Sequence, residues 1–570
     1  MKYLTKNLLS LVLMFSWSGI VFANSDCCSS ECDTTSCDAC ECEVSARSFF
    51  SVRPQYQLGM PERITQFHHP LRLKDDDQAS SALKVTVFGG QSNKESRLAT
   101  YFTPFCKSVL KVRETNSLGD DTDIRAEEFN VVTATGEFES DISFCPQQSV
   151  VGVGFTWRKA LGCVNDDGKR KWWIEASMPI THVRNKLNFY ETIINDGGGV
   201  STETRVGTTP IPFVANMKEA FAQDAWKCGK IGGTCTALEA SSCYTDCCDS
   251  ICSDDACCSS CDNDCTVDFT IETDCDGNVV LTKTRPADID LLVGYTWVDK
   301  EDYKIDLYGG VLIPTGTRPT AAQIFEPIVG HNKHWGISFG GVSCVQLCNN
   351  EEKDSSLWWY TQFNCLYLVR DDQKRLIDLK NKPWSRYMQV YANAEQAQQA
   401  ETDEDIYLHT PGVNVFCRDV RVSPGVQKTI TSALMYTYCG YEGELGYSFF
   451  CRPSECVELC CPWVEGPAFK AFGGVPGQTD RVQQINDRFQ LRNVDTLDDY
   501  NNNIIKATDL DLTSAAHPCM ATHTFYGSIA RRYDDWCYPT SFGIGGGYEF
   551  GKNNTAMNRW TLWATMAVSF

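Results

Sequence analysis

The chain has 570 residues with 73 acidic and 51 basic side chains, and its net charge of −22 excludes a generic nucleic-acid binder because no basic surface is present to neutralise phosphates. No segment approaches eighteen consecutive apolar residues, so a helical membrane protein is excluded and only a closed barrel of alternating strands could still span a bilayer. Thirty-one cysteines in an exported chain point to an oxidising compartment, with the odd total leaving at least one thiol free or paired between chains.

Lys2 and Lys6 precede an uncharged, mostly apolar run from Leu8 to Phe22, and Val21-Phe22-Ala23 has the small residues two apart that signal peptidase accepts. The expected leader is therefore 1–23. Residues 24–48 carry Cys27, Cys28, Cys32, Cys37, Cys40 and Cys42 among polar residues with almost nothing apolar to bury, which predicts a Cys-rich polar extension outside the main fold. The folded part, 49–570, is expected to begin at Phe49-Phe50-Ser51-Val52.

From Leu83 onward, segments with a period of two recur and are closed by Gly-rich or Asp/Asn-rich turns. Val151, Val153, Phe155 and Trp157 oppose Gly152, Gly154, Thr156 and Arg158; Trp172, Ile174, Ala176 and Met178 oppose Trp173, Glu175 and Ser177. A helical pattern follows at 212–222, expected to cap a loop, and then a second cysteine tract at 228–275. Ile289 to Trp297 and Tyr303 to Ile313 alternate clearly and are joined by Asp299-Lys300-Glu301-Asp302. Further strands are predicted at 335–342, 357–370, 429–441, 444–451 and 542–550, a tight turn at Tyr441-Glu442-Gly443-Glu444, and helical composition at 393–401 and 481–492. Aromatic-Gly-Gly steps at Phe88, Tyr308, Phe339 and Phe472 suit a strongly curved closed sheet.

Mid-strand charge suits a wet interior and suits lipid badly. Arg158, Glu175, Asp290, Lys304, Asp306, Arg370 and Glu549 are therefore the lumen-lining candidates, read as residues that set an electrostatic field. A nucleophile elbow is matched formally by Gly336-Ile337-Ser338-Phe339-Gly340, but within an alternating strand with no helix after it. His331-Asn332-Lys333-His334 and His68-His69 lack carboxylate or cysteine partners nearby, and no metal, cofactor or catalytic residue is expected. The adjacent pairs Cys27-Cys28, Cys247-Cys248, Cys257-Cys258 and Cys460-Cys461 are disulfide candidates, although Cys37-x-x-Cys40 and Cys258-x-x-Cys261 have zinc-like spacing.

The last twelve residues alternate Trp560, Leu562, Ala564, Met566, Val568 and Phe570 against Arg559, Thr561, Trp563, Thr565, Ala567 and Ser569. A strand of this length ending on phenylalanine resembles the closing strand of Gram-negative outer-membrane β-barrels of the porin-like kind. The resemblance implies an all-β fold, a closed antiparallel transmembrane barrel of roughly 12 to 16 strands with long loops, and Val568 and Phe570 as its assembly signal. Thr565 stands where these families usually have glycine, and Trp563 where they have a polar residue. It further implies the outer membrane as location, with outer-membrane lipid and the barrel-assembly machinery as partners. The implied function is a channel for passive diffusion of small polar solutes. The alternative is a structural or host-facing surface protein, anchored by a barrel and cross-linked through intermolecular disulfides of its Cys-rich loops, by analogy with bacteria that cross-link their envelope proteins. An enzyme is not expected.

Overall fold

The computed structural model describes residues 44–53, 81–114, 117, 123–161, 171–202, 212–232, 268–275, 277–393, 395–396, 409–469, 485 and 504–570. The predicted leader, most of the 24–48 extension, Cys27, Cys28, Cys247, Cys248, Cys257, Cys258, His68-His69, the Phe472 step and the 481–492 segment except residue 485 lie outside them.

Twelve antiparallel strands form the body: β1 (Ser81–Asn93), β2 (Gln147–Leu161), β3 (Trp172–Lys186), β4 (Ile289–Asp299), β5 (Tyr303–Ile313), β6 (Gly336–Asn350), β7 (Ser355–Leu368), β8 (Gly425–Tyr438), β9 (Tyr441–Arg452), β10 (Met520–Tyr533), β11 (Thr540–Gly551) and β12 (Asn558–Ser569). Sheet order follows chain order and then closes, because β12 pairs with β1 from Ala82↔Ser569 to Asn93↔Asn558. At the β3–β4 seam, β4 covers Trp172 to Ser177, and a separate strand, Val279–Pro286, covers Ile180 to Lys186. The result is a closed barrel, with Val279–Pro286 and the short strand Thr270–Thr273 extending the sheet at the β3–β4 seam. Its strand number is even and at the lower bound of the expected range.

Alternation decides which side of the wall each residue occupies. On β12, Trp560, Leu562, Ala564, Met566 and Phe570 are exposed outside, whereas Arg559, Thr561, Trp563, Thr565, Ala567 and Ser569 are all less than a tenth exposed inside. Val87, Val151, Val293, Leu307, Ile337, Leu445, Ile529 and Ile544 continue the exposed apolar belt around the barrel. An apolar surface this continuous does not persist in water, and the belt is that of a transmembrane barrel.

Inside, large aromatic rings lie over glycines directly opposite them on the next strand: Phe88 over Gly152, Trp173 over Gly294, Tyr308 over Gly340, Tyr526 over Gly446 and Trp563 over Gly545. A Cβ at Gly294 would fall 2.0 Å from Trp173 Cζ2, and one at Gly545 would fall 2.4 Å from Trp563 Cε2. Three of the aromatic-Gly-Gly steps thus have a sharper role than curvature alone. Phe88 and Tyr308 supply rings, and Gly340 of the Phe339 step supplies a floor.

The two ends of the barrel differ. At one, the turn end, adjacent strands are joined by short connections such as 300–302, 351–354 and Cys439-Gly440, and Ser81 and Phe570 exchange backbone hydrogen bonds of 2.9 Å. The other end carries the connections 94–146, 187–288, 314–335, 369–424 and 453–519. These long connections fold together. Tyr101, Phe129, Phe144, Phe221, Trp226, Phe325, Trp384, Tyr387, Phe416 and Trp463, drawn from all five, share one buried core, here called the cap.

Several expectations need correction. β10 was not predicted, because its outward face reads Ala521, His523, Phe525, Gly527, Ile529 and Arg531 and so hides its apolar period. The tight turn lies at Cys439-Gly440, where both residues have positive φ; Tyr441 to Glu444 already belong to β9. The boundary at 49 falls too late, since Ala46 is buried in the cap core. The helical pattern at 212–222 forms a shorter helix, Met217–Ala222, capped by the Asn216 side chain, and Met217, Ala220 and Phe221 enter the cap core.

Gly545→Val should crowd Trp563 and destabilise the barrel by about 1–3 kcal/mol. Gly443→Ala, where the added carbon meets nothing within 4 Å, should be silent. The temperature at which the folded band is lost in semi-native electrophoresis measures both.

Candidate functional site: the lumen and its cap

Six of the seven lumen candidates lie on inward strand positions. Near the turn end, the Arg158 guanidinium lies 3.7 Å from the centre of the Trp173 ring and reaches Asp306 Oδ2 at 3.4 Å and Glu175 Oε2 at 4.0 Å. Lys304 Nζ stands 3.8 Å from the same Asp306 oxygen. A cation held over an aromatic face and flanked by carboxylates is stable away from water because each charge has a counterpart. Asp290 is buried on the inward face of β4. Glu549, near the cap end, accepts from Arg559 Nε at 2.6 Å and stands 3.6 Å from Arg53 Nε. Thr524, Thr561, Gln362, Asn364 and Ser448 add buried polar groups to the inner face.

Arg370 departs from the expectation. β7 ends at Leu368, Val369 N bonds to Trp335 O at 2.7 Å, and Arg370 is exposed beyond the rim. An alternating pattern does not show where the wall stops.

The inward side chains are packed against one another. Two cavities, of about 10 and 20 Å³, lie at the cap end, one against Arg53, Glu549 and Arg559 and the other against Val52, Gln148 and Val329. Each holds about one water molecule. Eight-stranded barrels are filled by side chains alone, and a twelve-stranded one is wider. The stacked aromatics and arginines are what bulk requires here.

Above the lumen, the cap contains buried ion pairs that the sequence did not single out. Arg375 sits over the Phe49 ring, bonds Gln373 Oε1 at 2.6 Å and Ala515 O at 2.9 Å, and pairs with Glu455 at 3.4 Å. Burial pulls its pKa down to about 10, against the attraction of Glu455. Arg386 pairs with Asp378 at 3.1 Å, and burial raises the Asp378 carboxyl although Arg386 opposes the shift. His517 is held neutral, well below the usual histidine range, by burial and by Arg452; its Nδ1 donates to Pro518 O at 2.7 Å. His334 is lowered by burial as well, with Nδ1 bonded to Val369 O and Nε2 facing Gln373.

His331 and His334 therefore have separate tasks. His331 Nδ1 and backbone N both reach Asp288 Oδ2 at 2.6 Å, which ties the 314–335 connection to the break between Val279–Pro286 and β4. Among the described residues no group of three or more His, Cys, Asp or Glu is arranged to hold a metal ion. Ser338 lies buried within continuous β6, without the strand-to-helix turn that a nucleophile elbow needs.

The cysteines also sort differently from the adjacent-pair reading. Cys228 and Cys417, 189 residues apart, form a disulfide that joins two cap connections. Cys460 carries a thiol pushed up to about 12 by burial, then by Asp372 and Asp419, which suppresses the reactive thiolate. Sequence spacing cannot find a partner that tertiary packing supplies.

No known family and no curated protein matches this sequence. Among solved structures the chain is similar to an outer membrane channel from Pseudomonas putida F1, at 7% identity over 87% of this chain and all of that one, with a TM-score of 0.32. It is similar to the transport unit of the autotransporter AIDA-I from Escherichia coli, at 6% identity over 90% of this chain and all of that one, with a TM-score of 0.28. A Pseudomonas aeruginosa FadL homologue has 6% identity over 92% of this chain and 98% of its own, with a TM-score of 0.27. The barrel fold assigned above rests on its own strand register.

Arg375→Met leaves Glu455 buried without its counter-charge and should cost about 3–5 kcal/mol; replacing both together should recover much of that loss. The urea midpoint of cap tryptophan fluorescence checks this. Because the folded-state pKa of His517 is depressed, the unfolded chain takes up protons first as pH falls. The stability this histidine supports is then full above about pH 6.5 and is lost progressively below it. Proteolysis of the cap should accelerate between about pH 7 and 5, less so in His517→Gln.

Proposed function

We propose that this chain is an outer-membrane protein in which the barrel anchors a folded cap at the cell surface, where it serves as a structural or partner-facing component of the envelope. The observation that carries this reading is the packed inner face: on β12, all six inward residues from Arg559 to Ser569 are buried. The cap end is the outer end, because barrels of this class have short periplasmic turns and longer extracellular loops. Outer-membrane lipid covers the apolar belt, and assembly proceeds through Val568 and Phe570. The cysteine tracts contribute disulfides within the cap and between neighbouring envelope proteins. No catalytic step is assigned.

A second reading, passive diffusion of small polar solutes, draws support from the polar inner face and from a wall wider than side chains alone must fill. Conductance in a planar bilayer decides between them. The anchor reading expects a silent membrane with the intact protein, and stable ohmic steps at low voltage would replace it with the pore. Migration of native envelopes with and without reductant tests the cross-links. A single reductant-insensitive band would contradict them.

A further inference from the structure

The outward face of the wall changes character at the cap side of β3. Its outward residues run Trp172, Ile174, Ala176, Met178 and Ile180 through the apolar belt, and then His182, Arg184 and Lys186. Register supplies the neighbours. Arg184 stands opposite Ser149 of β2 on one side and Thr282 of Val279–Pro286 on the other. The same row continues through Gln91 of β1 to Trp560 of β12 in one direction, and to Thr270 in the other. Residues in register share a face, so this row is a line of hydrogen-bond donors across six strands, with one cation and no carboxylate.

The rows on either side leave Arg184 uncommitted. Lys186, one row nearer the cap, is paired with Asp274 at 2.8 Å, and Glu272 lies on that same row two strands from β3. His182, one row nearer the belt, shares a hydrogen bond of 2.7 Å with Thr284. Among the described residues no carboxylate pairs with Arg184, which is partly exposed. Trp560 ends the apolar run of β12, and Tyr548 opposite it donates to Asn93 Oδ1 at 3.1 Å. Amphipathic rings at the end of an apolar run mark the headgroup level. The row of Arg184 therefore meets lipid phosphate, not hydrocarbon.

We propose that Arg184, with Ser149 and Thr282, binds the phosphorylated headgroup of an outer-leaflet lipid whose acyl chains lie on the apolar belt below. The guanidinium fork matches two phosphate oxygens, and a hydroxyl-bearing residue stands about 5 Å to each side across the ladder. The net charge of −22 does not repel such a ligand, because exposed charges farther than about 10 Å are screened at 0.1 M salt and the local row decides. Continuity with the belt names the occupant as a lipid. The assignment to the outer leaflet rests on the orientation given above, with the cap outward.

The purified full-length protein in detergent is offered diphosphoryl lipid A, and retained lipid is counted by native mass spectrometry. Arg184→Ala should weaken retention by about tenfold, the loss expected for a hydrogen-bonded charge pair. Arg184→Lys should lose less, because the charge stays and the fork goes; Ser149→Ala with Thr282→Ala should lose several-fold. Unchanged heat modifiability on electrophoresis shows that each barrel is intact. Lys428, an outward cation toward the cap side of β8 flanked in register by Cys365 and Cys451, is the control, and Lys428→Ala should change nothing. No loss in Arg184→Ala, or an equal loss in Lys428→Ala, would mean a hydrated surface charge only and would overturn the site. Displacement of the lipid by millimolar inorganic phosphate would make it a site for a free anion and overturn it equally. Orientation is read separately, with an epitope in the exposed turn 134–137 of the cap on intact cells. An epitope read only after permeabilisation overturns the outer-leaflet assignment, while Arg184-dependent retention would still establish the headgroup site.

Discussion

Closure of the backbone ladder between β1 and β12 is the constraint on which the rest depends. In hydrocarbon no water is present to satisfy an unpaired amide or carbonyl, and each one left open costs several kcal/mol. Twelve residue pairs along this seam remove both free edges at once. The carboxyl-terminal strand is therefore the piece that completes the wall, and its outward face must match the apolar belt made by the eleven strands before it.

A closed wall then fixes what the interior can be. The inward face has a set circumference, and its contents must fill that space without stranding charge. Two devices do so. Rings of Phe88, Trp173, Tyr308, Tyr526 and Trp563 lie over opposing glycines, where a side chain on the floor would collide with them. Carboxylates and cations are placed in mutual reach, as in Arg158 with Asp306 and Arg559 with Glu549.

Much of this was legible in the sequence, for definite reasons. Eleven of the strands announced themselves, wholly or in part, because the environment on each side of the wall differs and residues two apart record it. β10 escaped because Ala521, His523, Gly527 and Arg531 stand at its lipid-side positions. Six lumen candidates were readable as charges within alternating runs, and Arg370 failed since periodicity carries no rim marker. The cap was the unreadable part. Its core is assembled from five separate connections and residues 44–53, so Arg375 with Glu455, Arg386 with Asp378 and Cys228 with Cys417 are pairs that no local pattern relates.

The account stands or falls on the ring being closed by its terminal strand, and hydrogen–deuterium exchange of the protein in lipid tests that most directly. Amides of β1 and β12 should be protected to the same degree as those of β7, which is interior to the sheet. Rapid exchange along Trp560 to Ser569, with β7 still protected, would mean that the last strand is an edge and that the barrel is open.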